Sequence, residues 1–228
     1  MKRVLALVVG CLLLAACTTT NVRVASAGLQ RPAAGARVLV LQPEVQLAVL
    51  TAGGVNEARA DWSQAGQENL AREIEAQLKS RSHGFTMLDP EAAMSGRTGQ
   101  LMRLNAAVGQ SILLHNYMGL ALPTKPTFDW TLGDGASRLA DEQGADYALF
   151  VNARGNYASG GRVATAIGMA MLGVSVPMGQ QQVMASLVDL RTGKVVWFNV
   201  ATAGPNADMR EAAGAARLTT SLLKEIPL

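Results

Sequence analysis

Val188-Asp-Leu-Arg-Thr-Gly-Lys-Val-Val-Trp197 is the stretch that decides the fold. Largely apolar runs flank its centre, Gln181 to Leu190 before it and Val195 to Ala203 after it. Between them Arg191-Thr-Gly-Lys194 reads as a tight turn. The Asp189 side chain can cap that turn, and Gly193 fits its left-handed position. Val196, Phe198 and Val200 alternate with Trp197 and Asn199, the period-2 pattern of a strand. A β-hairpin near the C-terminus is the first expectation.

Upstream, Ala145 to Tyr157 reads as a long strand. It follows a short helix, Ser137 to Gln143, that Gly144 stops. A loop with Pro123, Pro126, Gly133 and Gly135 precedes that helix. A helix is expected over 99–118, with Leu101, Leu104, Val108, Ile112 and His115 as its stripe. Another is expected over 63–82. Ser63 is its N-cap candidate, Leu70, Ile74 and Leu78 share one face, and Glu68/Arg72 and Glu75/Lys79 are favourably oriented ion pairs. Gly84 ends it, and Phe85 to Leu88 reads as a strand closed by Asp89-Pro90. Arg37-Val-Leu-Val-Leu-Gln42 is apolar nearly throughout, which predicts a central strand covered on both faces. Pro43 ends it, and 45–61 is expected to turn back around Gly53-Gly54. Ala207 to Lys224 reads as a closing helix with Ala212, Ala215, Ala216, Leu222 and Leu223 on its packing face. The fold class is α/β (α+β): one α/β domain over 37–228 with a single mixed β-sheet and helices packed on it.

Residues 159–179 fit this scheme least. Ser159-Gly-Gly-Arg162 leads into Val163 to Val176, which carries no charged side chain. The run is too short to cross a bilayer as a helix and lacks the strict alternation of a membrane barrel strand. Three readings are open: a buried or covered element, a contact with a partner or second copy, and a loop that touches a membrane. For the contact, Ala164 and Gly168 have small-xxx-small spacing, Met169 and Met171 are adaptable apolar side chains, and Gly173 lies in the same run. Gly160-Gly161 reads as a bend after a strand or as an anion nest. It lacks the lysine and hydroxyl of a phosphate loop.

The N-terminus orders three signals. Lys2-Arg3 is basic, Val4 to Leu14 is apolar, and Ala15-Ala16-Cys17 ends in small residues and a cysteine. The apolar run is half the length that spans a membrane and reads as a cleavable export signal over 1–16. Leu14-Ala-Ala-Cys17 resembles the lipobox of bacterial lipoproteins. The resemblance implies a diacylglyceryl group on the Cys17 sulfur, cleavage before Cys17 and acylation of the new amine. A second frame at Val8-Val-Gly-Cys11 leaves only six apolar residues ahead of it. A plain secretory cut near Ala16 is the other alternative. Thr18, where inner-membrane retention would place Asp, resembles the outer-membrane pattern. The acylated Cys17 and a flexible tether then fill 17–36.

Composition narrows the function. Without Lys2 and Arg3 the 20 Lys+Arg become 18 against 17 Asp+Glu, a side-chain net of +1. That is no footprint for nucleic acid. Cleavage also removes Cys11, so with Cys17 acylated no free thiol, disulfide or thiolate metal site remains. His83 and His115 are the two histidines, and no ligand set gathers around either. No nucleophile elbow and no cofactor pattern is present. Asp141 with Glu142 and Asp129 with Asp134 read as solvated or loop-capping acids. Trp62, Trp130 and Trp197 are too scattered in sequence to show a sugar-stacking platform.

Arg37-Val-Leu-Val-Leu, Gly144-Ala-Asp-Tyr-Ala-Leu-Phe-Val and the Val188–Trp197 hairpin, behind a lipobox, resemble a group of periplasmic lipoproteins with an anticodon-binding-like α/β core. That group includes curli-secretion channel lipoproteins, activators of penicillin-binding proteins and the N-terminal domain of the Tol translocation protein. The channel inserts alternating membrane hairpins where this chain has its non-alternating 159–179. The resemblance implies a non-enzymatic protein-interaction module in envelope assembly or export, lipid-anchored to the outer membrane and facing the periplasm. Its expected partner is an envelope protein or a further copy of itself. The alternative is a subunit of an oligomeric secretion ring.

Overall fold

A computed structural model describes residues 19–24, 32–33, 35–81, 84–88, 96–203 and 207–228. Eight strands are described: β1 Thr19–Val24, β2 Val38–Val40, β3 Glu44–Leu50, β4 Asn56–Ala58, β5 Phe85–Met87, β6 Tyr147–Ala158, β7 Gln181–Asp189 and β8 Val195–Thr202. The helices are α1 Ala60–Lys79, α2 Gly96–Ile112, α3 Ser137–Gln143, α4 Gly160–Ala170 and α5 Ala212–Leu222. A π-helical turn, Leu113–Tyr117, extends α2.

All strands join one mixed sheet in the order β1-β8-β7-β6-β2-β5, with β3 on β6 and β4 on β3. The expected C-terminal hairpin is β7–β8, antiparallel from Gln182↔Thr202 to Val188↔Val195. Its turn forms as its residues dictate. Asp189 Oδ1 accepts from the Arg191 N–H at 2.9 Å, and Gly193 adopts φ +69°. β2 and β3 lie one after the other along β6, both parallel to it: Val38–Val40 on 147–149 and Glu44–Leu50 on 152–158. Pro43 therefore interrupts a path that then continues, since proline removes one ladder donor without forcing the chain off the edge it follows. Val38, Leu39, Val40 and Leu41 are all buried, as a doubly covered strand requires.

Two cores flank the sheet. On one face α1 supplies Leu70, Ile74 and Leu78 and α5 supplies Ala215, Leu218 and Leu222, against Leu149, Val151, Leu187 and Trp197. On the other, Leu101, Ile112, Leu139 and the loop residues Phe128, Trp130 and Leu132 cover Leu39, Phe150, Met184 and Phe198. Alternation along β8 thus separates two cores; it does not separate core from solvent. Even Asn199 is fully buried, and its Nδ2 donates to the Ser221 and Leu222 carbonyls at 3.2 and 2.5 Å. Those carbonyls end α5 and need donors.

Four sequence readings change. Ser63 is not a cap, because α1 begins at Ala60. Its hydroxyl instead donates to the Arg59 carbonyl and accepts from the Leu47 N–H, at 2.8 and 2.9 Å, tying α1 to β3. The stripe expected on α2 rotates: Leu104 is 42% exposed, and Leu101, Asn105, Gly109 and Ile112 face the sheet. The Phe198 ring occupies the space beside Gly109, 3.6 Å from where a β-carbon would stand. Buried Asn105 accepts from Ser186 Oγ at 2.7 Å. α5 begins only at Ala212, and its small-residue contacts come from Gly214 and Ala215. Finally, Thr19–Val24, which the sequence assigns to the flexible tether, pairs residue for residue with β8. Thr-Thr-Asn-Val-Arg-Val is rich in β-branched residues, and β8 offers it an edge.

Candidate functional site

β6 outruns its neighbours. β7 pairs with it only as far as Gly155↔Gln181, while β3 accompanies it to Leu50↔Ala158. At the end of this two-stranded spur the chain turns outward into α4. Ser159 caps the helix, its hydroxyl accepting from the Arg162 N–H at 3.1 Å. The Gly160-Gly161 pair is therefore a helix start.

No residue of α4 is buried. Ser159-capped and amphipathic, the helix turns Arg162, Thr165, Ala166 and Met169 inward to half-buried positions. Val163, Ala164, Ile167 and Gly168 face outward. The exposed row continues through the return chain: Ile167 is 57% exposed, Met171 81% and Leu172 76%, with Val174 and Met178 also exposed. The reading of this run as a buried or covered element is thereby overturned. Ala164 and Gly168 do share the open face, with nothing within 4 Å of the Gly168 Cβ position. Met169 lies on the inner side, and Gly173, at φ +76°, turns the chain back. From Val163 to Val188 no side chain carries charge.

The base of this projection is braced from several directions. Arg162 Nε donates to the Pro177 carbonyl at 3.0 Å and its Nη1 to the Ala52 carbonyl at 3.4 Å. Asn156 N–H donates to the Gln180 carbonyl, and Asn156 Oδ1 accepts from the Gln180 N–H, both at 2.9 Å. Tyr157 donates to Gln181 Oε1 at 2.5 Å. The Arg210 guanidinium lies 3.6 Å from the Tyr157 ring centre and 4.4 Å from that of Trp62. Asp208 grips Arg210 at 2.7 Å. Burial pushes the Tyr157 hydroxyl well above the usual phenol range, and Asp208 beside it adds to the shift. Burial acts to raise the Asp208 carboxyl too, but hydrogen bonds from Arg210 outweigh it and hold the group below the usual carboxylate range. Trp62, Tyr157 and Arg210 are far apart in sequence, and no local pattern announces the stack.

Beside the spur, where α2 ends and the sheet continues bare, a groove of about 650 Å³ opens between β3, β4, β6 and the π-helical turn. Gln46, Asn56, Arg154 and Gln182 give it a polar floor, and Leu113 and Met118 an apolar wall. Met118 is 65% exposed. At the other end of the sheet Arg37, Asp146, Asp189 and Arg191 line a second concavity. Its acids serve the backbone: Asp146 accepts from the Arg37 N–H and Asp189 from the Arg191 N–H.

The remaining sequence candidates separate. His115 Nδ1 is 2.7 Å from the Leu120 carbonyl, and the ring stacks on Trp130 at 6.2 Å. Asp129 pairs with Lys125 at 3.0 Å, Asp134 begins a one-turn helix, and Asp141 and Glu142 are exposed on α3. His83 and Cys17 lie outside the described residues. Among the described residues no group of three or more His, Cys, Asp or Glu side chains gathers to hold a metal. No described helix is long and apolar enough to cross a membrane.

No family model and no curated protein matches the chain. Among solved structures it is similar to the PelC dodecamer from Paraburkholderia phytofirmans, with 14% identity, a TM-score of 0.42 and coverage of 91% of this chain and 95% of that one. It is also similar to the lipoprotein GNA1162 from Neisseria meningitidis, with 15% identity, a TM-score of 0.33 and coverage of 75% and 85%. The C-terminal domain of LpoB from Salmonella enterica aligns at 17% identity, a TM-score of 0.28 and coverage of 74% and 82%. At such values the functions of these proteins do not transfer to the chain.

Proposed function

We propose that this chain is a lipoprotein of the bacterial envelope that works by binding and carries out no catalysis. Residues 1–16 direct export, Cys17 carries the acyl chains, and the domain faces the periplasm from the outer membrane. Its working surface is the projection 160–178 with the groove at its base. One observation carries the reading: a braced projection, without charge beyond Arg162 at its base, holds large apolar side chains in the open, at Ile167, Met171 and Leu172. Folding gains nothing from that exposure, and such surfaces mark interaction sites. Anchoring raises the local concentration of the domain at the membrane, so weak contacts become effective there.

The second reading, a subunit of an oligomeric secretion ring, draws on the common open face of Ala164 and Gly168, where small residues permit close approach. A photocrosslinking residue at Ile167 in intact cells tests both. A ladder at multiples of the subunit mass supports the ring, a single heterologous adduct supports a distinct envelope partner at the projection, and adducts to lipid alone leave the groove at its base as the partner site. Mass spectrometry of the native N-terminus should find fatty chains on Cys17; an unmodified N-terminus removes the anchor.

A further inference from the structure

We infer that the projection 160–178 rests in the same membrane leaflet that receives the Cys17 acyl chains, so that lipid and projection form a two-point footing. The inference rests on the lipidation of Cys17 proposed above. β1 begins at Thr19, which pairs with Thr202. Thr202 pairs with Gln182, and Gln182 with Arg154. Thr19 therefore stands at the end of the sheet where β6 runs on to Ala158 and α4 departs. Two residues of chain reach at most about 7 Å, so Cys17 cannot leave that end. Three strand spacings separate β1 from β6, about 14 Å.

A membrane that takes up the acyl chains thus lies against the end of the sheet from which the projection extends. The projection suits it. From Val163 to Val188 there is no charge to desolvate. The one guanidinium within the projection, Arg162, is spent on two backbone carbonyls at its base. The apolar side chains form one outward row on an eleven-residue helix and its return, and such a helix is too short to span a bilayer. Val55, 61% exposed, tips the β3–β4 turn, and that turn is held to α4 through Arg162.

The test uses the full acylated protein in phosphatidylcholine vesicles. The processed chain carries no free thiol, so Leu172→Cys and, as a control at the far end of the sheet, Glu142→Cys each take a single environment-sensitive fluorophore. Flotation is scored separately from the probes. The expected result is flotation of both variants, with a blue shift and quenching by lipid-attached nitroxide at 172, and quenching by aqueous iodide at 142. If the protein floats but the probe at 172 is quenched by iodide, the footing is overturned while the anchor stands. If that probe is shielded from both quenchers, a second copy covers the projection and the footing is again overturned. If the unsubstituted protein does not float, the anchor fails and the inference falls with it.

Discussion

Gly193→Ala isolates how firmly the C-terminal hairpin is locked to the loop beneath it. Gly193 stands at φ +69°, and a β-carbon there would lie 2.2 Å from the Gly133 carbonyl oxygen. The backbone strain alone costs about 1–2 kcal/mol. The collision cannot be relieved by a side-chain rotation, because the obstacle is main chain. Moving that main chain disturbs two hydrogen bonds on the Gly193 carbonyl, from the Leu132 N–H at 2.8 Å and Thr131 Oγ1 at 3.1 Å. At about 1 kcal/mol each, the total comes to about 3–4 kcal/mol. Gly144→Ala is the matched control. Its φ of +61° brings the same strain, but its β-carbon would meet only the end of the Arg37 side chain at 3.0 Å, which can swing away. Urea unfolding followed by tryptophan emission should place Gly193→Ala about 2 kcal/mol below Gly144→Ala, the two hydrogen bonds being the difference. Equal losses in the two variants would show that the loop does not press on the turn, and the reasoning fails.

Asn105→Ala leaves the buried Ser186 hydroxyl without its partner and should cost about 1–3 kcal/mol, part of which returns in the double variant with Ser186→Ala; a thermodynamic cycle by urea unfolding that shows no coupling refutes the pair. Asp208 has its folded pKa depressed, so its contribution is present above the unfolded carboxylate value of about 4 and is lost as pH falls through the folded value. Acid unfolding of Asp208→Asn should therefore show a flatter loss of stability below about pH 4 than the parent, and parallel curves count against the Arg210 contact. Tyr157 is shifted the other way, so its contribution holds below about pH 10 and declines above it. Thermal melts should accordingly lose part of their alkaline slope in Tyr157→Phe. Arg162→Ala frees the projection from the Ala52 and Pro177 carbonyls. Limited proteolysis within 160–178 should accelerate while the urea midpoint stays put, and a fall in the midpoint would mean that α4 supports the core.

Much of the sheet was legible because its signals are local. The Thr192-Gly193 turn, the apolar run at Val38–Leu41 and the fourfold spacing of Leu70, Ile74 and Leu78 each report a period or a turn requirement within a few residues. The buried face of α2 was not, because two of its four main positions are Asn105 and Gly109, which a hydrophobic pattern skips. One is buried by its bond to Ser186, and the other gives room to Phe198. Ser63 has the chemistry of a cap but sits one turn inside, where it serves β3. The segment Val163–Val176 shows why periodicity alone misleads about burial. It reports that apolar residues share a side, and says nothing about whether the protein itself provides the other surface. The groove was invisible in principle, since it arises from a difference in length between β6 and the helix that covers it.

A second difference in length, between β6 and β7, links the fold to the proposed role. Pairing with β7 ends at Gly155, so the last three residues of β6 keep β3 as their strand partner. The sheet narrows there to a spur, and the chain leaves from its tip. A helix attached to a floppy loop would only sample the membrane. This one is fixed to a seven-residue parallel ladder, a capped N-terminus and the Asn156–Gln180 exchange. A lipid at Cys17 alone would hold the domain near the bilayer yet leave it free to rotate about one point. A second contact about 14 Å across the sheet would remove most of that freedom and fix which face looks into the periplasm. The groove beside Met118 is lined by the same end of the sheet. Replacing Met171 and Leu172 together by aspartate should then leave the protein membrane-bound and folded but with its orientation lost. Proteolytic accessibility of the β3–β4 turn on vesicles should rise, and an unchanged cleavage rate would mean that the lipid alone sets the pose.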